Sequence, residues 1–394
     1  MKNTKKLRIM LNSNAPWAPS GYAQQAAQFL PLIAKAGYPT ACIGFYGLEG
    51  GRIELDNVTY YPKIPGDQWG DLAMITHNEH FKPDVTITLQ DIWTLDPEKL
   101  RKVTRWIPIV PIDHEPTPPG ILDRLKLAYR VISYSEFGNN QLINEGIHST
   151  FIPHTIDKDV FKPIDKAEKL KIRKQLGIPE DIFLFGFVAA NKDNPPRKGF
   201  NYAMDAFVEF KKKYPNSGLY FHTLLDQAGG FPIRHYAKSL GIENSIYHTR
   251  PYDMLYNMDQ ADMSSLYGIF DAYLAPSLNE GFGVPIIEAQ ACGIPTMATD
   301  FTAMRDLIID GVTGYKIKVA SKYFTPLLSY TAIPSTESIL DGMIKIYELG
   351  EDGRLKMGKN ARDFVVKNYD LKTVFKKRWL PFLDKLQNEI YIDK

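Results

Sequence analysis

The stretch that decides the fold runs Pro276-Ser277-Leu278-Asn279-Glu280-Gly281-Phe282-Gly283-Val284-Pro285-Ile286-Ile287-Glu288-Ala289-Gln290-Ala291-Cys292-Gly293-Ile294-Pro295. The apolar run before it, Ala272 to Pro276, reads as a strand. Gly281 and Gly283 let the backbone pass close to another group. Pro285 suits the first turn of a helix, and Gly293 with Pro295 ends it. Nearly every residue inside that helix is small or apolar, and Glu288 is its only charge. A lone carboxylate on a buried helix needs hydrogen-bond partners. The helix dipole alone accounts for a Glu near an N-terminus. It does not account for the second carboxylate, Glu280, ahead of the glycines. Nor does it account for backbone N–H groups bared at a helix start, which make an anion site.

Working outward, short apolar runs alternate with helical patterns along most of the chain. Leu7–Leu11, Thr40–Tyr46, Asp84–Leu89, Trp106–Ile112 and Arg130–Tyr134 read as one set of strands. Phe183–Ala190, Gly218–Leu225, Ser245–His248, Ala272–Pro276 and Pro295–Thr299 read as a second. Helical periodicity between them, as in Tyr22–Lys35, predicts parallel strands with crossover helices. The alternation pauses at Pro153–Lys169, where a linker is expected. This gives an α/β chain with domains over 1–160 and 165–370. Residues 320–335, with Pro326 and Pro334, read as a surface excursion. From Thr336 onward the pattern is helical, and the helix at about 372–394 is expected to pack back on the first domain. Open parallel sheets bind ligands beyond the carboxyl ends of their strands, so the loops there are where chemistry is sought.

Composition narrows the classes. The 394 residues suffice for two α/β cores. Residues 1–160 carry 16 Lys+Arg against 17 Asp+Glu, and the rest 31 against 28. Neither part has the basic field usual for nucleic-acid binding. The run Arg101-Lys102-Val103-Thr104-Arg105 could touch a phosphate or an anionic membrane, but a solvated helix face is the preferred reading. Cys42 and Cys292, each in an apolar stretch, suggest buried thiols in a reducing, cytoplasmic setting, with no zinc spacing. The apolar run after the basic start is too short for a signal peptide, and no run reaches the ~20 residues of a membrane span.

Three more loops carry candidate chemistry. Asn191-Lys192-Asp193-Asn194-Pro195-Pro196-Arg197-Lys198-Gly199 follows a strand and opens a helix. Adjacent Arg and Lys there suit a diphosphate, although the pair also fits a solvated loop. Asn12 to Tyr22, after the first strand, places Gly21 at the start of a long helix, where close approach to a phosphate is possible. It is not the G-x-G-x-x-G dinucleotide fingerprint. Trp17 and Tyr22 fit stacking on a substrate or structural packing. Asp113-His114-Glu115 at a strand end gathers three ionisable groups, with Asp91 after the preceding strand as a weaker candidate.

The segment from Glu280 to Pro295 resembles the E-x(7)-E signature of retaining glycosyltransferases of the GT-B fold, in particular glycosyltransferase family 4 (group 1). Glu280 and Glu288 stand at its two glutamates, and Glu-Gly-Phe-Gly and Glu-Ala-x-Ala-x-Gly-x-Pro match its surroundings. Val131 to Ser135, Ile152 to Phe161 and Asp306 to Tyr315 extend the likeness, which covers most of the chain outside 49–80 and 320–335. The resemblance implies two Rossmann-like domains with parallel sheets facing a central cleft. It implies a nucleotide diphosphate sugar, such as a UDP- or GDP-sugar, as donor substrate. It assigns Glu288 to the donor ribose, Glu280 to the donor sugar, and the backbone N–H groups of Phe282, Gly283 and Val284 to the sugar hydroxyls and phosphate. Lys198, with Arg197 or Lys192, would neutralise the leaving diphosphate. An Ala190-Asn191 pair stands where the family commonly has Val-Gly. Gly21 belongs to the loop that reaches over the donor, and His114 lies near the reacting carbon.

These assignments imply transfer with retention, catalysed by charge stabilisation and positioning. No cofactor and no metal are expected, since Asp157-Lys158-Asp159 sits in the interdomain crossing. The acceptor is a hydroxyl that the sequence does not name. DNA and a membrane lipid stay open, with the near-neutral first domain speaking weakly against both. Competing readings are an inverting transferase or epimerase with Asp113 or Asp91 as base, and a nucleotide-sugar-binding module without turnover.

Overall fold

The computed structural model describes residues 5–391. It divides into two compact units, Met1–Thr155 with Leu371–Lys394, and Ile156–Asp370. Unit 1 contains β1 (Ile9–Asn14), β2 (Thr40–Tyr46), β3 (Ile53–Leu55), β4 (Val58–Pro62), β5 (Val85–Leu89), β6 (Trp106–Val110), β7 (Val131–Ser133) and β8 (Ser149–Phe151). They form one sheet in the order β3-β4-β2-β1-β5-β6-β7-β8. Every pairing is parallel except β3 with β4. Helices α1 (Gly21–Lys35), α2 (Asp71–Phe81), α3 (Pro97–Val103), α4 (Pro119–Leu125) and α5 (Glu136–Asn144) link the strands. The strand order reverses between β1 and β5, which puts a switch point beside the loop that opens α1.

Unit 2 contains β9 (Phe183–Val188), β10 (Ser217–His222), β11 (Ile246–His248), β12 (Ala272–Ala275), β13 (Thr296–Thr299) and β14 (Gly314–Ile317), in the all-parallel order β11-β10-β9-β12-β13-β14. A hairpin, β15 (Val319–Thr325) with β16 (Ser329–Pro334), follows. The helices are α6 (Lys166–Gln175), α7 (Phe200–Lys213), α8 (Ile233–Ser239), α9 (Pro251–Tyr256), α10 (Gln260–Gly268), α11 (Val284–Ala291), α12 (Thr336–Glu348) and α13 (Gly350–Tyr369). Alternate residues of β9, Phe183, Phe185 and Phe187, meet Phe200, Phe207 and Phe210 of α7 in an aromatic core. The Phe187 and Phe200 rings stack at 4.7 Å, and Phe185 meets Phe210 edge-on at 5.0 Å. The switch point of this sheet lies between β9 and β12, so the two loops with candidate chemistry leave adjacent strand ends.

The C-terminal segment, α14 (Leu371–Val374), a π turn at Phe375–Trp379 and α15 (Leu380–Tyr391), belongs to unit 1. Trp379 stacks on Phe29 of α1 at 4.8 Å, and the Tyr38 and Tyr391 hydroxyls donate to Asp384 and Asp84.

Several element boundaries differ from the sequence reading. β1 was expected to end at Leu11, yet Asn12, Ser13 and Asn14 continue it and are buried. Their side chains donate hydrogen bonds to other parts of the unit. Asn12 donates to Trp69 O and Gln90 Oε1, Ser13 to Leu89 O, and Asn14 to the Ser20 hydroxyl. Ser20 in turn caps α1 by accepting from Ala23 N. β3, β4, β8 and β14 were not foreseen. Residues 320–335 form most of an ordered hairpin, with Pro326 in its turn and Pro334 closing its second strand.

Candidate functional site

In unit 2 the site is built by two loops that hold each other. β9 and β12 pair in parallel, Ala272 beside Phe185 and Tyr273 beside Gly186. The loop after β9 ends at Gly199, whose φ of +76° suits glycine and which opens α7. A Cβ there would lie 2.1 Å from the carbonyl oxygen of Pro276, in the loop after β12. Leu278 N donates to Arg197 O at 2.8 Å, and Arg197 Nη1 donates to Asn279 O at 2.7 Å. Asn191, buried, clamps the first loop by hydrogen bonds to Leu224 and Phe231.

This interlock delivers three charges to one point. The Glu280 carboxylate pairs with Lys198 Nζ through Oε1 and with Arg197 Nη1 through Oε2, the latter at 3.4 Å. Burial alone pushes the Glu280 carboxyl up, but Lys198 and Arg197 overrule it and bring its pKa down to about 2. Burial lowers the Lys198 ammonium, with Glu280 opposing. Ser277 adds a side-chain hydrogen bond to Glu280, and Glu280 N donates to Thr302 Oγ1 at 3.2 Å. Thr302 itself has a φ of +46°, a left-handed conformation that a β-branched residue rarely adopts. Such strain clusters at functional sites.

Eight residues on, Glu288 sits inside α11 and is buried. The Tyr267 hydroxyl of α10 donates to its Oε2 at 2.7 Å. Burial raises the Glu288 carboxyl to about 7, with the Tyr267 hydrogen bond opposing. α11 starts at Gly283, where φ is +108°. The side chain of Phe282 is buried against Tyr369, ring centroids 5.7 Å apart, so only its backbone is available to a ligand. Lys198, Ser277, Glu280 and Gly283 line one small pocket at the ends of β9 and β12. A preformed anion with two cations and a helix N-terminus beside it is suited to holding and releasing a phosphorylated group.

Unit 1 carries a second polar cluster, of different character. Tyr22, the second residue of α1, donates to Asp91 Oδ1 at 3.0 Å and shares a hydrogen bond with Tyr134. Burial, then Asp91, raises the Tyr22 phenol well above its ordinary value. His114, buried after β6, meets Asp113 Oδ1 through Nδ1 at 2.7 Å. Tyr134 stacks on His154 at 4.0 Å, and burial lowers His154 to about 3, so its ring is neutral. Gly21 has no positive φ, and a Cβ there would meet nothing within 4 Å, so packing does not demand glycine. Trp17 is anchored through Nε1 to Gly47 O and edge-on to Tyr60.

Within unit 2, then, Arg197, Lys198, Glu280, Gly283 and Glu288 lie along two adjoining loops and the helix that follows. Lys192 is exposed, while Arg197 reaches Glu280. The sequence reading missed Tyr267, Ser277 and Thr302. A tyrosine on the helix preceding the strand was the one legible signal. Asp157 accepts from Asp159 N, and Asp159 pairs with Lys158, which makes this a local turn. Among the described residues no three His, Cys, Asp or Glu side chains gather as a metal group, and no helix is long and apolar enough to cross a membrane.

Comparison with known proteins gives these features relatives. Residues 168–323 match the family model described as glycosyl transferases group 1. A D-inositol 3-phosphate glycosyltransferase of an Arthrobacter strain is 27% identical over 169 residues, 42% of this chain and 37% of that protein. The chain spans about two-fifths of the length of the first curated relatives it matches. Among solved structures, the sucrose-phosphate synthase of Thermosynechococcus elongatus superposes with a TM-score of 0.74 at 16% identity, covering 99% of this chain and 100% of that one. Anabaena HepE, crystallised with UDP and glucose, gives 0.70 at 17% identity, covering 96% and 100%. The fold class is GT-B, and the likeness to group 1 stands.

Proposed function

We propose, from the premise that this chain carries a group 1 glycosyl transferase domain on a GT-B fold, that it moves a sugar from a nucleotide diphosphate sugar to a hydroxyl acceptor, with retention and without a metal. The observation that carries this reading is the triad Glu280–Lys198–Arg197 beside the N-terminus of α11. Lys198 and Arg197 neutralise the charge that grows on the leaving diphosphate, and the amides of Gly283 and Val284 add to it. Glu280 stays ionised at neutral pH, so it accepts hydrogen bonds from the sugar and holds Lys198 in place rather than donating a proton. Glu288, held by Tyr267 on one oxygen, accepts from the ribose hydroxyls. Retention follows by same-face attack, the leaving phosphate taking the acceptor's proton. His114 is carried into this reading as a group that orients the sugar.

The Anabaena structures hold UDP, glucose and UDP-glucose, which supports trying UDP-sugars first. The test is a binding and hydrolysis screen against UDP-, GDP-, ADP- and dTDP-sugars with and without EDTA, alongside Glu288→Ala. Selective binding of one donor that EDTA leaves unchanged and Glu288→Ala weakens is the expected result. Binding to none overturns the reading. Product anomeric configuration by NMR tests retention, and a trapped glycosyl-enzyme adduct sinks same-face attack.

A further inference from the structure

Leu278, Asn279 and Glu280 lie in neither helix nor strand, so no ladder fixes their peptide groups. Side attachments fasten them instead. Leu278 N donates to Arg197 O, Leu278 O accepts from Ala332 N, and Asn279 O accepts from Arg197 Nη1. Glu280, whose carboxylate meets both cations, is held by the turn after β13. Its N–H donates to Thr302 Oγ1 at 3.2 Å, and its carbonyl accepts from Ala303 N at 3.4 Å. Thr302 and Ala303 open the 3-10 turn Thr302–Asp306, and both are buried. This turn is made at a cost. Phe301 is extended, with a φ of −146°, and the chain swings to +46° at Thr302. Glycine adopts that conformation freely, whereas a β-branched residue rarely does. The path of the chain therefore accounts for a left-handed residue here and not for a threonine. What threonine adds to the site over glycine is a hydroxyl, and that hydroxyl is seated on the amide of Glu280.

We propose that Thr302 is a positioning residue for sugar transfer. Its hydroxyl fixes the peptide of Glu280, so that the carboxylate meets Lys198, Arg197 and the donor sugar in one geometry. The inference rests on the role given to Glu280 under the proposed function, and Thr302 acts only through that residue. Positioning tolerates little play, since a misplacement of ~1 Å can cost about 100-fold in rate. Backbone strain persists where the surrounding structure over-determines it. Here Asp300 N donates to Ile317 O at 2.8 Å, Phe301 N to Thr299 O at 2.7 Å and Leu307 N to Met304 O at 3.1 Å, which pin the turn on both sides of Thr302. A residue that merely closed the turn would be replaced by glycine without loss. A residue that holds Glu280 would not.

The test compares Thr302→Ser, Thr302→Ala and Thr302→Gly in the full chain, using the donor that the screen identifies. Three quantities are measured: kcat, the Kd of the matching nucleoside monophosphate, whose ribose is assigned to Glu288, and the thermal midpoint. Thr302→Ala and Thr302→Gly both lack the hydroxyl and should lower kcat by about tenfold while leaving the monophosphate Kd unchanged. Thr302→Ser keeps the hydroxyl and should recover most of that loss. Thr302→Gly should melt above Thr302→Ala, because only alanine still carries the left-handed strain. A glycine variant as active as wild type overturns the proposal, as does a serine variant as impaired as alanine. A loss of kcat matched by an equal loss of monophosphate affinity also overturns it, since that marks a loop that has come apart. So does a glycine variant that melts below alanine, because threonine is then no costly choice. A wild type that binds no donor overturns the parent reading and this assignment together, whereas an active wild type with an equally active glycine variant overturns this assignment alone.

Discussion

Glu280 and Glu288 are eight residues apart and chemically identical, yet the loop before α11 and the body of that helix treat them in opposite ways. Both are buried. In the loop, Lys198 and Arg197 converge on the carboxylate and its pKa falls to about 2. In the helix, the neutral Tyr267 hydroxyl donates to the carboxyl, and burial raises it to about 7. Desolvation is common to both, so the neighbours decide. Two cations hold one glutamate permanently charged. A phenol leaves the other poised to change charge within the working range of pH.

The largest break in this contrast comes from Lys198→Ala. It strips Glu280 of its closest counter-ion and removes a cation from the leaving group, and kcat for sugar transfer should fall by about 100- to 1,000-fold. Steady-state kinetics on the donor identified by the screen checks this, and an unchanged kcat removes Lys198 from the chemistry. Next comes Glu288→Ala, expected to weaken donor binding by about 10- to 100-fold, the range for losing hydrogen bonds to a charged group. Calorimetry should also show that the folded protein is no less stable at pH 8, because a buried carboxylate has been removed.

A smaller effect, and a sharper one, is the pH dependence. If ribose hydroxyls need an ionised Glu288, donor Kd should rise about tenfold per pH unit below about 7, and Glu288→Gln should flatten that slope. Stability runs the other way. The folded chain retains at Glu288 a proton that the unfolded chain releases near its ordinary value of 4.5, so this contribution is fully present below 4.5 and lost as pH rises through about 7. Glu280, whose folded value is depressed, contributes stability above 4.5 that is lost as pH falls toward 2. Tyr267→Phe should have the smallest effect, a few-fold in donor Kd. It should move the midpoint of the binding profile to higher pH, since the hydrogen bond that opposes burial is gone. A midpoint that stays put separates Tyr267 from Glu288.

What the sequence made legible was local. The strand, the glycines, Pro285 and the closing Gly293 lie within one short run, and each acts through its own backbone. Arg197 and Lys198 were legible as cations after a strand, and their convergence on Glu280 was not, because it depends on β9 and β12 being neighbours. Asn12 and Ser13 looked like loop residues because the groups their side chains donate to are 57 to 78 positions away. Tyr267 was hidden for the same reason, reaching Glu288 from another helix. The β15–β16 hairpin escaped because prolines normally interrupt strands, while here they stand at its turn and its end.

The Gly199–Pro276 contact has a consequence for anyone wishing to redesign this protein. With 2.1 Å between a would-be Cβ and the neighbouring carbonyl, and with backbone and side chain of Arg197 tied to Leu278 and Asn279, the two loops behave as one mortised joint. Transplanting either from a relative leaves the other cut to the wrong shape. Residues 189–199 and 276–283 are therefore a single cassette, to be exchanged together or left alone.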